Sequence, residues 1–445
     1  MTGPARSATV FLVVGTFAST IANTLVTVPL DRIVTDLGAP LGAGSLVVVA
    51  FNLTCAAMLP LAGWLGDRVG RRRLFLVSMV GVAVGAAGAA LAPGLAALVG
   101  FRAVQGLSGA LVLPTVLALL TATAEPEQRA RAVSWWAAAN GAGQAAGPSV
   151  GGVLADATGW RSVFVVIVPF ALVAFVGAAR RLGPDDPRPV RLDVPGAVAL
   201  TLATLGLLGG AATAAAVGPY TPAAWASVAV GVSALLVFVV VERRVAQPFV
   251  PLPLLREARF ARSAVAALAQ MLCLTATLLV VPLHLLATRG MSTRDAGLLV
   301  VAVPAVMTVL APVVGRLTAT WRPRLALRCG LSVLVVAEVA LAGAVGAGAG
   351  AVVLAMVCGS VGLGMALTQT PAAAGAARSA READSGAGLG VFNALRFVGA
   401  ALGGVVVALA VGDGPADRAA TVVVMLTCAA CALVALGASF AGRVR

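Results

Sequence analysis

The sequence has no lysine, a single histidine and a single tyrosine, and only 11% of its 445 residues are charged. Without lysine the chain cannot carry the Gly-x4-Gly-Lys-Ser/Thr loop that cradles nucleotide phosphates, so no ATP site is expected. Its only adjacent acidic pair, Asp185-Asp186, sits in the proline-rich linker 181–195 and lacks the second carboxylate cluster with which a membrane prenyl-transfer enzyme would hold magnesium. The six cysteines, Cys55, Cys273, Cys329, Cys358, Cys428 and Cys431, all fall in or beside apolar runs, so neither a disulfide nor a metal site is expected. No paired catalytic carboxylates and no nucleophile triad are visible, which argues against an enzyme, and no cofactor is implied.

What the chain has is apolar length. Hydrophobic residues make up 60% and the mean hydropathy is +1.02, whereas a soluble domain needs about a quarter of its residues charged. Fourteen apolar runs bounded by polar or Gly/Pro punctuation lie near 8–30, 43–65, 74–92, 95–121, 131–154, 162–179, 195–217, 223–241, 261–287, 295–315, 325–346, 350–374, 386–411 and 419–440. The first is too long for a signal-peptide core and is read as a span. With both termini cytoplasmic, the 31 arginines divide into 24 on inner loops and ends, 5 on outer loops and 2, Arg102 and Arg396, within spans. That bias predicts the orientation, in a cell (plasma) membrane. The net charge of +14 is strung along the inner loops, as expected for contacts with anionic lipid headgroups and not for a nucleic-acid face.

The stretch Gly63-Trp-Leu-Gly66-Asp67-Arg68-Val-Gly70-Arg71-Arg72-Arg73 separates two of these runs. Its glycines let the chain reverse, Asp67 can accept N–H groups at a helix end, and the arginines hold the loop in the cytoplasm. The sequence also repeats itself. Pro60-x-x-Gly63 returns as Pro312-x-x-Gly315, Leu46–Ala50 as Leu298–Ala302, and Gly147-x3-Gly151-Gly152 as Gly399-x3-Gly403-Gly404, all at an offset of 252. Val28-Pro29-Leu30 returns as Val281-Pro282-Leu283 at 253. Six helices with short loops need fewer than about 200 residues. The offset therefore calls for two inserted helices, giving a six-helix half over 1–180, a linker with two accessory helices over 181–258 and a second half over 259–445. In the second copy Ala319 stands where Asp67 stands in the first.

The loop at 63–73 resembles the signature between the second and third helices of the major facilitator superfamily, and the duplication with two inserted helices resembles its drug:proton antiporters with fourteen helices. The resemblance implies an all-α polytopic fold of two pseudo-symmetric six-helix halves around a central cavity, and it makes Gly63, Gly66, Asp67, Arg68, Gly70, Arg71 and Arg72 a conformational latch. Arg102-Ala-Val-Gln105-Gly in the fourth span resembles the family's buried-arginine motif, linked there to proton coupling. A structural arginine bonded to backbone carbonyls is the other reading. Gly143-x3-Gly147-Pro148-x2-Gly151-Gly152 in the fifth span resembles the antiporter motif. Ile21–Ile33 resembles the first-helix pattern, but Ala22 replaces its intramembrane aspartate, Thr27 its asparagine and Asp31 its proline. Asn393-Ala-Leu-Arg396-Phe-Val-Gly399 resembles the corresponding segment of the thirteenth helix.

Eight of the ten Asn and Gln residues lie in spans: Asn23, Asn52, Gln105, Asn140, Gln144, Gln270, Gln369 and Asn393. All are in spans that the resemblance assigns to the cavity, and with Thr27 and Arg396 they are the expected substrate contacts. The resulting expectation is a monomeric proton-driven exporter of a small lipophilic drug, antibiotic or metabolite, with a uniporter or importer as the alternative and a membrane enzyme or scaffold as the remote one. Arg102 and Arg396, with no carboxylate in the middle of a cavity span, favour a neutral or anionic compound. Glu338, deep in the eleventh span, is expected as a neutral acid bonded to a neighbouring helix. Asp67 is expected to meet the start of the thirteenth span at 385–390. Asp31 and His284, equivalent at the offset of 253, are expected at equal depth near the outer mouth, where a proton-sensitive contact could form.

Overall fold

The computed structural model describes residues 3–123, 129–184, 193–218, 221–245, 252–320, 323–382, 386–412 and 414–440. Asp185, Asp186 and Ser385 lie outside the described residues. The described residues are helical, with no strand. In order the helices are α1 (Gly3–Thr24), α2 (Leu30–Asp36), α3 (Leu41–Gly44), α4 (Leu46–Val69), α5 (Arg71–Ala90), α6 (Leu95–Thr123), α7 (Arg129–Thr158), α8 (Ser162–Val165), α9 (Ile167–Arg181) and α10 (Val194–Val217). They continue with α11 (Pro222–Glu242), α12 (Leu252–Arg256), α13 (Ala258–Arg289), α14 (Thr293–Val300), α15 (Ala302–Thr320), α16 (Pro323–Gly346), α17 (Ala351–Glu382), α18 (Gly386–Val411) and α19 (Arg418–Ala438).

Twelve of the described helical stretches are long and apolar enough to cross a membrane. The two expected spans not among them are α1, of which Ala8–Thr24 is apolar, and α7. For α7 the reason lies in its side chains, since it carries Asn140 and Gln144 on the central cavity. Polar residues facing an internal cavity lower a helix's hydropathy without exposing those groups to lipid.

α1 packs on α6, α7 and α9, with α5 between α6 and α9, and α13 packs on α17, α18 and α19, with α16 between α17 and α19. The two groups meet along α4 against α18 and along α7 against α14 and α15. The α10–α11 hairpin closes on itself at Gly206 and Gly231, where a Cβ on Gly206 would sit 2.5 Å from the Gly231 nitrogen. Its α10 lies over both α4 and α18, where Leu208 and Ala212 cover Val49, Ala401 and Val405.

Two expectations about local structure are corrected. The first span does not run through residue 30: the chain unwinds between Thr24 and Leu30 and resumes as α2, with Pro29 at the break. Pro29 lacks the N–H that a continuing helix would use. Gly63 and Gly66 are not turn residues either, since both lie inside α4. The reversal is made by Gly70 alone, at φ 97°, a conformation that disfavours any residue with a Cβ.

Candidate functional site

Where α1, α4, α6, α7, α13 and α18 converge they enclose a cavity of about 60 Å³. That is smaller than a drug-sized ligand, so the halves must part to admit one. Helical spacing explains its polar side. Ser19, Asn23 and Thr27 follow one another at four-residue steps, and Thr20 and Thr24 run beside them, so the end of α1 and its unwound continuation turn one hydroxyl and amide stripe inward. α7 supplies Asn140 and Gln144 one turn apart, with Gln144 Nε2 donating to Asn140 Oδ1 at 2.9 Å. Asn52 of α4, Thr275 of α13 and Arg396 of α18 complete the polar wall, while Phe51, Leu113, Met271, Leu274 and Phe397 form the apolar one.

Of the eight expected amides, the structure places Asn23, Asn52, Asn140 and Gln144 on the cavity. The other four are elsewhere. Gln105 is fully buried behind the wall and accepts from Arg102, Gln270 is fully buried with neither amide atom bonded, Gln369 is half-buried, and Asn393 accepts from Arg396 at 3.3 Å. Counting amides alone missed the hydroxyls. The four-residue recurrences Ser19-Asn23-Thr27 and Thr20-Thr24 were the signal that would have found Ser19, Thr20 and Thr24.

Arg102 does not line the cavity. It is fully buried, donating from Nε to the Val47 carbonyl at 3.0 Å and from Nη1 to the Ala22 carbonyl at 2.7 Å and Gln105 Oε1 at 2.9 Å, with its guanidinium 4.6 Å from the Phe51 ring centre. Ala22 lies in the last turn of α1, whose carbonyls have lost their intrahelical donors. Arg102 fills that need and ties α1, α4 and α6 together.

The glycines of α7 set two close contacts. A Cβ on Gly143, Gly147 or Gly151 would meet α1 or its continuation, at 2.9 Å from Thr20 Cβ, 1.9 Å from Thr24 Oγ1 and 2.1 Å from the Leu25 carbonyl oxygen. A Cβ on Gly152 would lie 2.6 Å from the Thr293 carbonyl oxygen of α14, and one on Gly297 would lie 2.6 Å from the Pro148 carbonyl oxygen. α7 is therefore packed directly against α14 at this end, where Gly42 also abuts the Gly412 carbonyl.

A match to the Major Facilitator Superfamily extends over residues 10–404. The chain belongs to that superfamily. The Tetracenomycin C resistance and export protein of Streptomyces glaucescens is 33% identical over 314 residues, 70% of this chain and 58% of that protein. The Multidrug efflux pump LfrA of Mycolicibacterium smegmatis is 35% identical over 281 residues, 62% of this chain and 55% of that protein. The chain thus spans somewhat more than half the length of these curated relatives. A bacterial homolog of the human lysosomal transporter Spinster, solved inward-facing and unoccupied, superposes with a TM-score of 0.71 over 99% of this chain and 97% of that one, at 14% identity. That likeness concerns the fold alone.

Within this superfamily fold the loop residues behave as follows. Asp67 accepts from Arg71 at 3.0 Å, both side chains being more than a third exposed, and Arg72 donates to the Ala179 carbonyl at 2.8 Å. Gly390 comes close to α4 instead, its Cβ position lying 3.4 Å from the Leu59 carbonyl oxygen. Asp31 and His284 are not brought together. Among the described residues there is no ion pair between them, and His284, 3% exposed, bonds Thr288 of its own helix. α13 continues through Pro282 whereas the chain unwinds before Pro29, so Asp31 lies on α2 and His284 inside α13. On that same face Asp36 accepts from Trp160 Nε1 and from Arg161, each at 2.8 Å, and these bonds hold its carboxyl below the usual range.

Glu338 is fully buried in α16, away from the cavity, and accepts from Thr277 of α13 at 3.3 Å. Its carboxylate oxygen and the sulfurs of Cys273 and Cys428 lie within 4.8 Å of one another, a convergence that spacing along the sequence did not reveal. Glu338→Gln keeps an acceptor for Thr277, so transport is expected within about twofold of the parent when measured per folded molecule. Loss of proton-driven transport with normal accumulation would make Glu338 a proton carrier instead.

Proposed function

We propose that the protein exports a small lipophilic organic compound from the cell, energised by the proton-motive force, with its two halves alternating access to the shared cavity. One observation carries the reading: the cavity draws Asn23, Asn52, Asn140 and Gln144 from the first half and Thr275 and Arg396 from the second, so motion of one half against the other opens and closes it. The names of the relatives, an antibiotic export protein and a multidrug efflux pump, support the direction. We read α1 and α7 as spans as well. That gives fourteen, with halves over 1–180 and 259–445 and both termini in the cytoplasm of a plasma-membrane monomer whose inner arginines meet anionic lipid headgroups. The shut contacts around Gly152 and Gly42 then lie at the outer face, and the 63–73 loop is the inner latch.

Transport by purified protein in vesicles under an imposed proton-motive force tests the reading, because a scaffold or an enzyme would move nothing. If the loop is a latch, Asp67→Asn is expected to slow export at least tenfold with unchanged accumulation, and export at the parental rate would remove that role. Ala22 in place of the first-helix carboxylate favours, as a second reading, facilitated flow without proton exchange.

A further inference from the structure

Among the described residues, Arg396 is the only charged side chain on the wall of the cavity. Its neighbours are neutral: Nη1 donates to Asn393 Oδ1 at 3.3 Å, Nη2 approaches Met271 Sδ at 3.6 Å, and Nε is buried without a partner. Among the described residues no aspartate or glutamate lines the cavity, the carboxylate of Glu338 sits behind α13, and Arg102 is occupied by carbonyls outside the wall. A guanidinium stays protonated at any physiological pH. The cavity therefore holds a permanent, uncompensated positive charge.

The internal repeat shows how a ligand could use it. At the offset of 252, Arg396 is the counterpart of Gln144 (396 − 252 = 144), so one pseudo-symmetric pair presents a cation from the second half and an amide from the first to the same space. Arg396 can take the charge of an aromatic anion, and Phe51, Phe397, Gln144 and Asn23 on the same wall offer its ring and its remaining oxygens partners once the cavity opens. A cation finds no counter-charge there.

We propose that Arg396 is the counter-ion for a lipophilic organic anion and that the electrical part of the proton-motive force drives its export. The inference rests on the efflux reading above. Loaded, the cavity is neutral. Empty, it carries one positive charge, which a negative cell interior draws toward the inward-open state. No carboxylate need gain or lose a proton during the cycle, which agrees with Ala22 in the first helix. One charge per cycle implies a tenfold gradient of a monovalent anion for each ~59 mV of potential.

The experiment uses the full chain in phosphatidylethanolamine/phosphatidylglycerol vesicles, with potassium and valinomycin setting the potential and equal pH on both sides. The probes are 8-anilinonaphthalene-1-sulfonate as the anion and ethidium as the cation, and protein-free vesicles give the leak. The expected result is an anion gradient that rises tenfold per ~59 mV. Arg396→Gln should lower anion transport at least tenfold without lowering ethidium transport, and Arg396→Lys should restore part of it. Anion transport that responds only to a pH gradient, or an Arg396→Gln variant with an unchanged anion-to-cation ratio, overturns the proposal. Ethidium transport under a pH gradient without anion transport overturns it too and leaves the efflux reading standing, whereas transport of neither probe under any gradient overturns both.

Discussion

Arg102→Ala is expected to give a protein that accumulates poorly and unfolds early. The native side chain is completely buried and donates to two backbone carbonyls on different helices and to Gln105. Removing it leaves the Ala22 and Val47 carbonyls without that donor and opens a large void beside Phe51. Hydrogen bonds to a charged group contribute about 1.5–3 kcal/mol each, and truncating a large buried side chain costs about 3–5 kcal/mol, so a net loss of about 3–5 kcal/mol is expected. Arg102→Lys separates folding from function. Its ammonium keeps the charge but cannot reproduce the planar fork that reaches Val47 and Ala22 together, so the variant should fold and export at least tenfold more slowly. Thermal unfolding in detergent and export per folded molecule measure the two effects. A melting midpoint for Arg102→Ala within about 2 °C of the parent, equivalent to no more than about 1 kcal/mol, would show that the three helices do not depend on this side chain.

The same residue shows how far the sequence could be read. Its position in the fourth helix and its cost in a membrane were visible from the apolar run around it. What it bonds to was not, because the Ala22 carbonyl becomes available only where α1 ends, and that end follows from a break five residues before Pro29. The break also puts Asp31 on a short separate helix, whereas its repeat counterpart His284 stays inside α13. Sequence registers do not carry over as contacts where one copy unwinds: a Cβ on Gly147 would meet Thr24, whereas one on Gly399 would meet Leu268. Fourteen apolar runs could be marked from composition, yet α7, which brings Asn140 and Gln144 to the cavity, is not among the stretches apolar enough to cross a membrane. Its polar residues are the functional signal and a cause of the shortfall. The amides divided in the same way. Those one helical turn apart on α7 reached the cavity, while Gln105 and Gln270 were turned into the protein by a choice of helix face that no single residue type reveals.

Gly151→Ala and Gly152→Ala are expected to fail differently although the residues are adjacent. Successive residues on a helix point about 100° apart, so these two glycines face different neighbours. The Cβ of an alanine at 151 would lie 2.1 Å from the Leu25 carbonyl oxygen and 3.0 Å from its carbon, atoms of the unwound segment inside the first half. That backbone must move, and the expected result is low accumulation whatever state the transporter occupies. An alanine at 152 would push at 2.6 Å against the Thr293 carbonyl oxygen, which belongs to the second half. The halves can yield by parting at that end, so the protein should fold and spend more time open there. Overpacking costs about 1–3 kcal/mol, roughly a 5- to 150-fold change in a two-state ratio, whereas inverting a 99:1 preference needs about 5.5 kcal/mol. A second, longer-distance population is therefore expected alongside the first, and not a complete switch. Spin labels at Ala157→Cys and Ala347→Cys, on exposed positions of the two halves at this face, would report it once the native cysteines are replaced by alanine. Gly152→Ala should add distances several ångströms longer, and the fraction of Gly151→Ala that folds should not. An unchanged distance distribution in Gly152→Ala would mean that the Gly152–Thr293 contact does not hold the halves shut.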